Sequence, residues 1–460
     1  MTPSAGASAE ALWRRLTPPQ LFVGSFAALV GAGALGLRLL PGLYVGPGLG
    51  WIDSLFTAAS AVCVTGLIVV DTATYFTPAG QAFVLLLIQL GGLGVIAFAT
   101  VIIAAFGRRL SLRHEALVAG GAEVAPHVDY RHLVRNVVLF TAVFEGLGAL
   151  ALYLLWAPDL GWGGAAWPAV FHSVSAFCNA GFSLNSDSLV GYQEAPATLA
   201  VVMVLIVGGG FGFLSLEELA LKARSDRRVR LSLHSRLALT TMGLLIVSGG
   251  VLFTAFEWDA TFAEMPPWAR AVNGLFLSVT ARTAGFNTVD YGQATDATNF
   301  LTVLLMFVGG NPGSTAGGAK TTTVALIALL AWSRMRGSTR TSAWGRTVPE
   351  ETVQRAVGLF VVVTFVTTVV VFVLTLSERD PATGQPHAFL EYLFEAYSAF
   401  NTVGLSMGVT GDLSPVGRVA IVVLMFLGRV GPLSFAAALA RPRRQVAGGF
   451  RYAHEDVVIG

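Results

Sequence analysis

Ala61-Val62-Cys63-Val64-Thr65-Gly66-Leu67 is uncharged and follows an amphipathic segment, Trp51–Ala61, too short to cross a bilayer. Three later stretches repeat its shape: Ala176-Phe177-Cys178-Asn179-Ala180-Gly181-Phe182, Thr280-Ala281-Arg282-Thr283-Ala284-Gly285-Phe286 and Ala399-Phe400-Asn401-Thr402-Val403-Gly404-Leu405. The four glycines recur at intervals of 115, 104 and 119 residues. A glycine-centred loop in four copies predicts a ring about one axis.

The surrounding sequence places that ring in a membrane. The chain of 460 residues is 54% hydrophobic and 12% charged, against about 25% charged in soluble domains. Apolar runs near membrane length recur from end to end. No cleavable leader is expected: Met1–Leu16 is polar, and the long apolar run after it has no small-residue cleavage site. Two cysteines make no disulfide framework, and a bridge between Cys63 and Cys178 is not expected.

Charge orients the chain. Of 29 Lys and Arg, 22 fall in five clusters, at Arg14–Arg15, Arg108–Arg135, Lys222–Arg236, Arg334–Arg355 and Arg441–Arg451, while acids such as Asp71, Asp187, Asp290 and Asp412 lie between them. The positive-inside rule puts both termini and the basic loops in the cytoplasm and the glycine loops outside. The acids would then concentrate cations there. The net charge of +2 gives no reason to expect a nucleic-acid partner.

Each copy reads as helix, half-helix, loop, helix. Unit 1 spans 21–106, unit 2 134–222, unit 3 236–333 and unit 4 353–440, with cytoplasmic segments at 1–20, 107–133, 223–235, 334–352 and 441–460. Long helices are expected at Leu21–Leu40 and Pro78–Phe106, Val134–Trp156 and Ala195–Lys222, Arg236–Phe256 and Thr298–Trp332, and Val353–Leu376 and Pro415–Leu439. Half-helices follow at Trp51–Ala61, Trp167–Phe177, Trp268–Ala281 and Ala388–Phe400. The fold class is therefore an all-α polytopic membrane protein of eight transmembrane helices and four re-entrant half-helices around one pore. Open backbone at membrane depth is tolerated only inside protein or beside water, which argues for re-entrant pore loops.

A second repeat lies about 24–27 residues after each filter glycine: Gly91-Gly92-Leu93-Gly94, Gly208–Gly212, Gly309-Gly310-Asn311-Pro312-Gly313 and Gly428-Arg429-Val430-Gly431-Pro432. In the first two, close helix packing through small residues suffices. The third cannot stay helical. Gly309-Gly310-Asn311-Pro312-Gly313-Ser314-Thr315-Ala316-Gly317-Gly318-Ala319-Lys320-Thr321-Thr322-Thr323 combines glycine and proline, at about 1 and 3 kcal/mol each in a helix interior. An unwound loop under a filter is a candidate gate. Its likeness to a phosphate-binding loop fails, because Ala319 intervenes before Lys320.

A filter must replace a cation's water with oxygens of similar energy. Backbone carbonyls do so for K⁺ when successive ones face the axis, which needs conformations open mainly to glycine. The candidate ion-binding residues are Val62 to Gly66, Phe177 to Gly181, Ala281 to Gly285 and Phe400 to Gly404. One glycine per loop implies a short filter and loose K⁺/Na⁺ discrimination. Buried charges are functional candidates by default. Arg429 reads as a gate or barrier element, or as half of a buried ion pair. Lys320 ends the unwound loop and either meets an acid or snorkels. Glu145 reads as a packing partner. Arg282, in the third filter, is expected to point behind it toward a carboxylate such as Glu395. Nothing suggests an enzyme: His172 stands alone before a filter, and the other six histidines are assigned to loops or tails.

These features together resemble the Trk/Ktr/HKT superfamily of K⁺ transporters over about residues 20–460. The specific parts are Ala61–Leu67, Thr280–Asn287, Gly309–Thr323 and Arg429 within Gly-Arg-Val-Gly-Pro. The ending Phe450–Gly460 is similar to the tail of the KtrB-type subunit. The resemblance implies a multi-pass protein of the cytoplasmic membrane that takes up K⁺, with Na⁺ stimulating uptake in many members and no organic cofactor in this chain. It implies a homodimer with a pore in each protomer and Arg451, Tyr452 and Gly460 at the contact. It also implies a cytoplasmic ring of nucleotide-binding subunits (KtrA/TrkA-like), and a gate at Gly309–Lys320 with Arg429 beside it. Serine in the first filter marks Na⁺-selective plant members, so Gly66 points to K⁺. The alternative is a Na⁺-permeable channel or Na⁺/K⁺ symporter of the same superfamily.

Overall fold

The structure, a computed structural model, describes residues 17–94, 130–224, 231–379 and 384–439. The expected tail contacts Arg451, Tyr452 and Gly460 lie outside the described residues, as do the end of the helix expected to reach Phe106 and most of the first basic loop.

Among the described residues, four helices are long and apolar enough to span a bilayer: Pro19–Leu39, Arg135–Phe177, Leu233–Glu257 and Glu350–Ser377. Each shows apolar side chains outward, among them Leu35, Leu147, Val247 and Phe365. That reverses the soluble pattern and suits a hydrocarbon surround. Local rules set their ends. At the start of the first, the Gln20 side chain accepts the Thr17 backbone N–H at 3.0 Å, and Pro18 takes a position that needs no donor. The helix Tyr130–Phe177 breaks at Gly161, whose φ of 73° no helix contains. The long and short helices expected there as Val134–Trp156 and Trp167–Phe177 are thus joined by helical turns on either side of one glycine.

Against the long helices pack short, buried ones: Trp51–Val62, the part of Tyr130–Phe177 after Gly161, Pro267–Thr280 and Phe389–Phe400. Their faces are small or aromatic, as at Phe56, Ala58, Ala59, Phe171, Phe276, Phe394 and Ala396.

The helices expected after the second, third and fourth glycine loops are not continuous, whereas Pro78–Gly94 is unbroken as far as it is described. Pro196–Gly210 and the helix starting at Phe213 meet at a bend of 98°. Asp296–Met306 and Thr321–Met335 are separated by a segment with no helix. Pro415–Val430 stops at Gly431, with φ 84°, before Pro432–Leu439. All three breaks fall in the glycine clusters. Among the described residues, four helices qualify as spans by length and composition, or five with the bent pair counted as one, and Pro78–Gly94, Asp296–Met306 and Thr321–Met335 are shorter apolar helices.

Two buried glutamates tie helix ends together. Glu257, closing Leu233–Glu257, accepts the backbone N–H and hydroxyl of Thr295 at 2.9 and 2.8 Å. Glu378, closing Glu350–Ser377, accepts the same two groups of Ser414 at 2.6 and 2.7 Å. Thr295 and Ser414 cap the helices that begin after them, so each glutamate fixes where the next helix starts. Two histidines assigned to loops, His132 and His234, lie within helices.

Candidate functional site

The four glycine loops meet in a closed ring. A methyl group built on Gly66 would strike the carbonyl oxygen of Ala180, and one on Gly181 would lie 2.9 Å from that of Ala284. One on Gly285 would strike the carbonyl of Val403, and one on Gly404 that of Thr65. Each glycine thus faces the carbonyl that precedes the glycine of the next loop, and the fourth returns to the first. The site residues expected from sequence, Val62–Gly66, Phe177–Gly181, Ala281–Gly285 and Phe400–Gly404, lie in or directly below this ring, with buried side chains.

Glycine is required twice over, since Gly66, Gly181, Gly285 and Gly404 all have φ between 71° and 93°. The residue two before each glycine is also left-handed: Val64 at 56°, Asn179 at 59°, Thr283 at 74° and Thr402 at 51°. For the β-branched residues this is an outlier conformation, worth about 1–3 kcal/mol of strain apiece, of a kind that clusters at functional sites.

Hydroxyls from the short helices hold the strained loops. Ser60 Oγ accepts the Gly66 N–H at 3.1 Å and Ser398 Oγ that of Gly404 at 3.0 Å. Ser175 Oγ donates to the Phe182 carbonyl at 2.7 Å and Thr280 Oγ1 to that of Phe286 at 2.6 Å. The sequence reading missed these four. The signal was a serine six positions before the glycine in three copies. The third copy differs because its loop is one residue tighter: Ala284 N–H bonds four residues back to Thr280, whereas Thr65, Ala180 and Val403 bond five back. Below the loops, Gly91, Gly209 and Gly428 pack directly on the carbonyls of Val62, Phe177 and Phe400. The close-packing reading of the first two clusters accounts for these contacts.

The unwound segment 309–320 lies under the ring, mostly buried and tied to its neighbours by hydrogen bonds. Asn311 and Thr315 donate backbone N–H groups to the Gly210 and Gly209 carbonyls, both at 3.1 Å, and Gly318 donates to Gly428 at 3.3 Å. The Asn311 side chain donates to Phe211 and accepts from Thr321 Oγ1 at 2.6 Å. Gly317 packs against Thr402, and Gly318 against Asn401. Thr315 Oγ1 donates to the Phe177 carbonyl and hydrogen-bonds the Asn179 amide, both at 3.2 Å.

The cations around this segment hold carbonyls rather than acids. Arg429 donates to the Thr315 carbonyl and, at 3.1 Å, to that of Gly91, so it bridges the unwound loop and the Pro78–Gly94 helix. Lys320 donates to Ala316 within its own loop. Arg282 points behind the ring, but not to Glu395. It donates to the Gly309 carbonyl at 3.2 Å and the Met242 carbonyl at 3.4 Å. Glu395 instead accepts from Thr410 Oγ1 through Oε1. A guanidinium needs acceptors rather than an anion as such, and unwinding at Gly309 supplies one. Glu145 accepts from Gln89 at 3.1 Å and from the Cys178 thiol at 3.8 Å, a partner role that links two units. Cys63 and Cys178 are free and buried.

Above the ring a cavity of ≈ 510 Å³ is lined by the four glycines and by Asp71, Asp187 and Asp290. Asp71 sits outside the spanning helices and caps Thr72–Tyr75. Burial works against its charge, but hydrogen bonds from Ser186 Oγ at 2.6 Å, Thr74 Oγ1 at 2.7 Å and Ala73 N–H at 3.0 Å outweigh it. Its carboxyl is thereby held below the usual carboxylate range. The ring of glycines and carbonyls thus faces a cavity that carries three carboxylates, which draws cations toward it.

Comparison with known proteins decides the family. Residues 34–445 match the family profile described as TrkH, cation transport protein. The chain belongs to the TrkH family. The TrkH-family relatives include the potassium/sodium uptake protein NtpJ of Enterococcus hirae, 36% identical over 97% of this chain and 98% of that one. The Ktr system potassium uptake protein B of Bacillus subtilis is likewise 36% identical, over the same shares. Among solved structures, the potassium transporter TrkH of Vibrio parahaemolyticus matches with a TM-score of 0.74 at 19% identity, over 93% of this chain and 86% of that one. Those TrkH-family proteins are named for transport, and the fold described above is the one that the Vibrio structure shares. The chain is thus a multi-pass membrane cation transporter.

Proposed function

We propose that this protein takes up K⁺ through a filter of backbone carbonyls at Gly66, Gly181, Gly285 and Gly404. The closed ring carries the reading, because each glycine abuts the next loop's carbonyl and none can gain a side chain. Left-handed backbone at every second residue is the pattern that turns successive carbonyls to one side, toward an ion. The K⁺ assignment draws support from the uptake proteins at 36% identity. In this reading four units, with eight spanning helices and four re-entrant ones, surround one pore, and the termini and basic loops are cytoplasmic. An interior-negative potential of 100 mV contributes about 2.3 kcal/mol per charge, enough for roughly 50-fold accumulation.

The gate of this reading is Gly309–Lys320, pinned by Arg429. In this reading the protein works as a homodimer on a cytoplasmic nucleotide-binding ring; the relatives' naming as proteins of a Ktr system favours partner components. Expression in a strain lacking K⁺ uptake, with and without Na⁺, tests the whole. Growth at micromolar K⁺ is expected, and no rescue at any K⁺ concentration refutes it. Deletion of 313–318 should raise flux and free it from regulatory partners, and unchanged flux removes the gate. The name of the E. hirae relative favours a second reading, Na⁺ passage by permeation or symport. Na⁺ uptake in proteoliposomes without K⁺ would select it.

A further inference from the structure

Another cavity lies away from the glycine ring, at the opposite end of the helices. It measures ≈ 590 Å³ and is formed by the Thr321–Met335 helix, the start of Glu350–Ser377 and the segment between them. That volume is in the range of small-molecule sites. Its wall is apolar at Leu330, Val348, Val353 and Val357, and Arg334 and Arg340 stand at its mouth. Both arginines are exposed. Arg334 uses one terminal nitrogen on the Ser338 and Thr339 carbonyls, leaving the rest of its guanidinium to face the mouth. On one side the cavity opens past Val357 and Gly358, which are exposed on a helix long and apolar enough to span. Val361 and Phe365 extend that exposed apolar track along the same helix.

The flanking chemistry fits a membrane boundary. Ser342–Ala343 and Arg346–Thr347 pair as a two-stranded hairpin, and its turn, Trp344-Gly345, is left-handed at both residues, with φ of 48° and 73°. The turn holds Trp344 out, 51% exposed. Trp332 is similarly exposed, with the Arg336 guanidinium 4.6 Å from its ring centroid. Exposed indoles beside arginines sit well at headgroup level. Of the nearby acids, Glu351 is paired with Arg355 at 2.5 Å, and Glu350 lies on the cavity rim in the helix's first turn. Arginine remains in excess.

We propose that this cavity binds one anionic phospholipid per protomer, its phosphate between Arg334 and Arg340 and an acyl chain along Leu330, Val353 and Val357. Basic pockets between spanning helices suit such headgroups. Thr339, Thr341, Thr347 and Gln354 also line the cavity, but most of its exposed wall is apolar and it opens sideways onto the hydrocarbon face, which suits an acyl chain better than a nucleotide base. The inner-leaflet position rests on the orientation proposed above. Lipid retention in detergent does not, so the two ideas fail separately.

The test is native mass spectrometry of the purified full chain with phosphatidylglycerol or phosphatidylcholine of matched chains. Preferential retention of phosphatidylglycerol is expected. Each arginine near the surface contributes on the order of a fivefold factor, so R334Q/R340Q should weaken retention about thirtyfold. V357W, which fills the wall without touching charge, should also lose the lipid, and unchanged thermal unfolding identifies either variant as folded. Equal retention of both lipids overturns the proposal, as does full retention by the double variant or by V357W. Displacement by inorganic phosphate would make this a free-anion site, and loss of a cytoplasmic subunit with lipid retained would make it a docking surface. Either result also overturns the proposal.

Discussion

Gly285→Ala is the most direct probe of the ring. At φ 82°, an alanine there pays about 1–2 kcal/mol for the left-handed conformation. Its methyl would also overlap the Val403 carbonyl and lie 2.9 Å from Gly181 Cα and 3.4 Å from Gly404 Cα. None of these is the end of a flexible side chain, so backbone must move, at about 1–3 kcal/mol for overpacking. Together these disfavour the closed ring by about 2–5 kcal/mol, roughly thirty- to several-thousand-fold in population. The assay is paired Rb⁺ and Na⁺ flux in proteoliposomes, with thermal unfolding measured on the same protein. A folded G285A that has lost its preference for Rb⁺ is expected. Gly243→Ala is the control, because that helical glycine has open space around it and should leave transport unchanged. If folded G285A keeps both the flux and the ratio of the wild type, the carbonyl ring does not select the ion.

Three further outcomes follow from the same geometry. Ser60→Ala and Ser398→Ala strand the glycine N–H groups, at about 1–3 kcal/mol each for an orphaned buried donor, so each should blur selectivity more than Ser175→Ala, which frees only a carbonyl; paired flux ratios decide, and equal effects would refute the distinction. Arg282→Gln loosens Gly309 and should raise partner-independent flux without changing the Rb⁺/Na⁺ ratio. Its stability loss should be small, because a buried cation without a carboxylate is itself costly; a changed ratio with unchanged flux would assign the residue to the filter instead. Asp71→Asn should slow cation uptake at low ionic strength and match wild type at high salt, where screening removes the field. Since the folded carboxyl titrates low, its charge and hydrogen bonds persist above the usual carboxylate range of about 4 and are lost only as pH falls through the depressed value. Wild-type flux should therefore converge on the D71N level only in that acid limb, and convergence near neutrality would contradict the hydrogen-bonded assignment.

The ring glycines were legible because four copies of one short loop, each after a half-length helix, pack most simply about a shared axis. The left-handed residues before them were not. Val64, Thr283 and Thr402 are types that local preference steers away from positive φ, and only the packed ring imposes it. The helix breaks were half legible. Gly309–Lys320 announced itself through Pro312, but Gly208–Gly212 read as a packing face. It breaks because Gly212, at φ 80°, turns the chain where the Pro312 carbonyl packs against it, a contact from another unit. The partner of Arg282 was misread for a related reason. Sequence displays carboxylates as partners for a cation, but it does not display carbonyls that become available when a neighbouring helix unwinds.

That availability explains why the three described breaks lie at one level. A helix leaves its last four carbonyls without intrahelical partners. Pro196–Gly210 therefore presents the Gly209 and Gly210 carbonyls, and Pro415–Val430 presents that of Gly428. These are the acceptors that bind the Thr315, Asn311 and Gly318 amides of the unwound segment. The segment supplies donors where its neighbours supply acceptors, so each break satisfies another, and any one of them alone would strand buried polar groups. At about 0.5–1.5 kcal/mol net per hydrogen bond, moving the segment as a unit breaks these three, together with the Arg429 contact to Thr315 and the Arg282 contact to Gly309. If the segment is the gate proposed above, opening is a concerted exchange of partners, in which water or a passing cation must take up the carbonyls released, and a substitution that frees only one of them should shift the balance without abolishing the closed state.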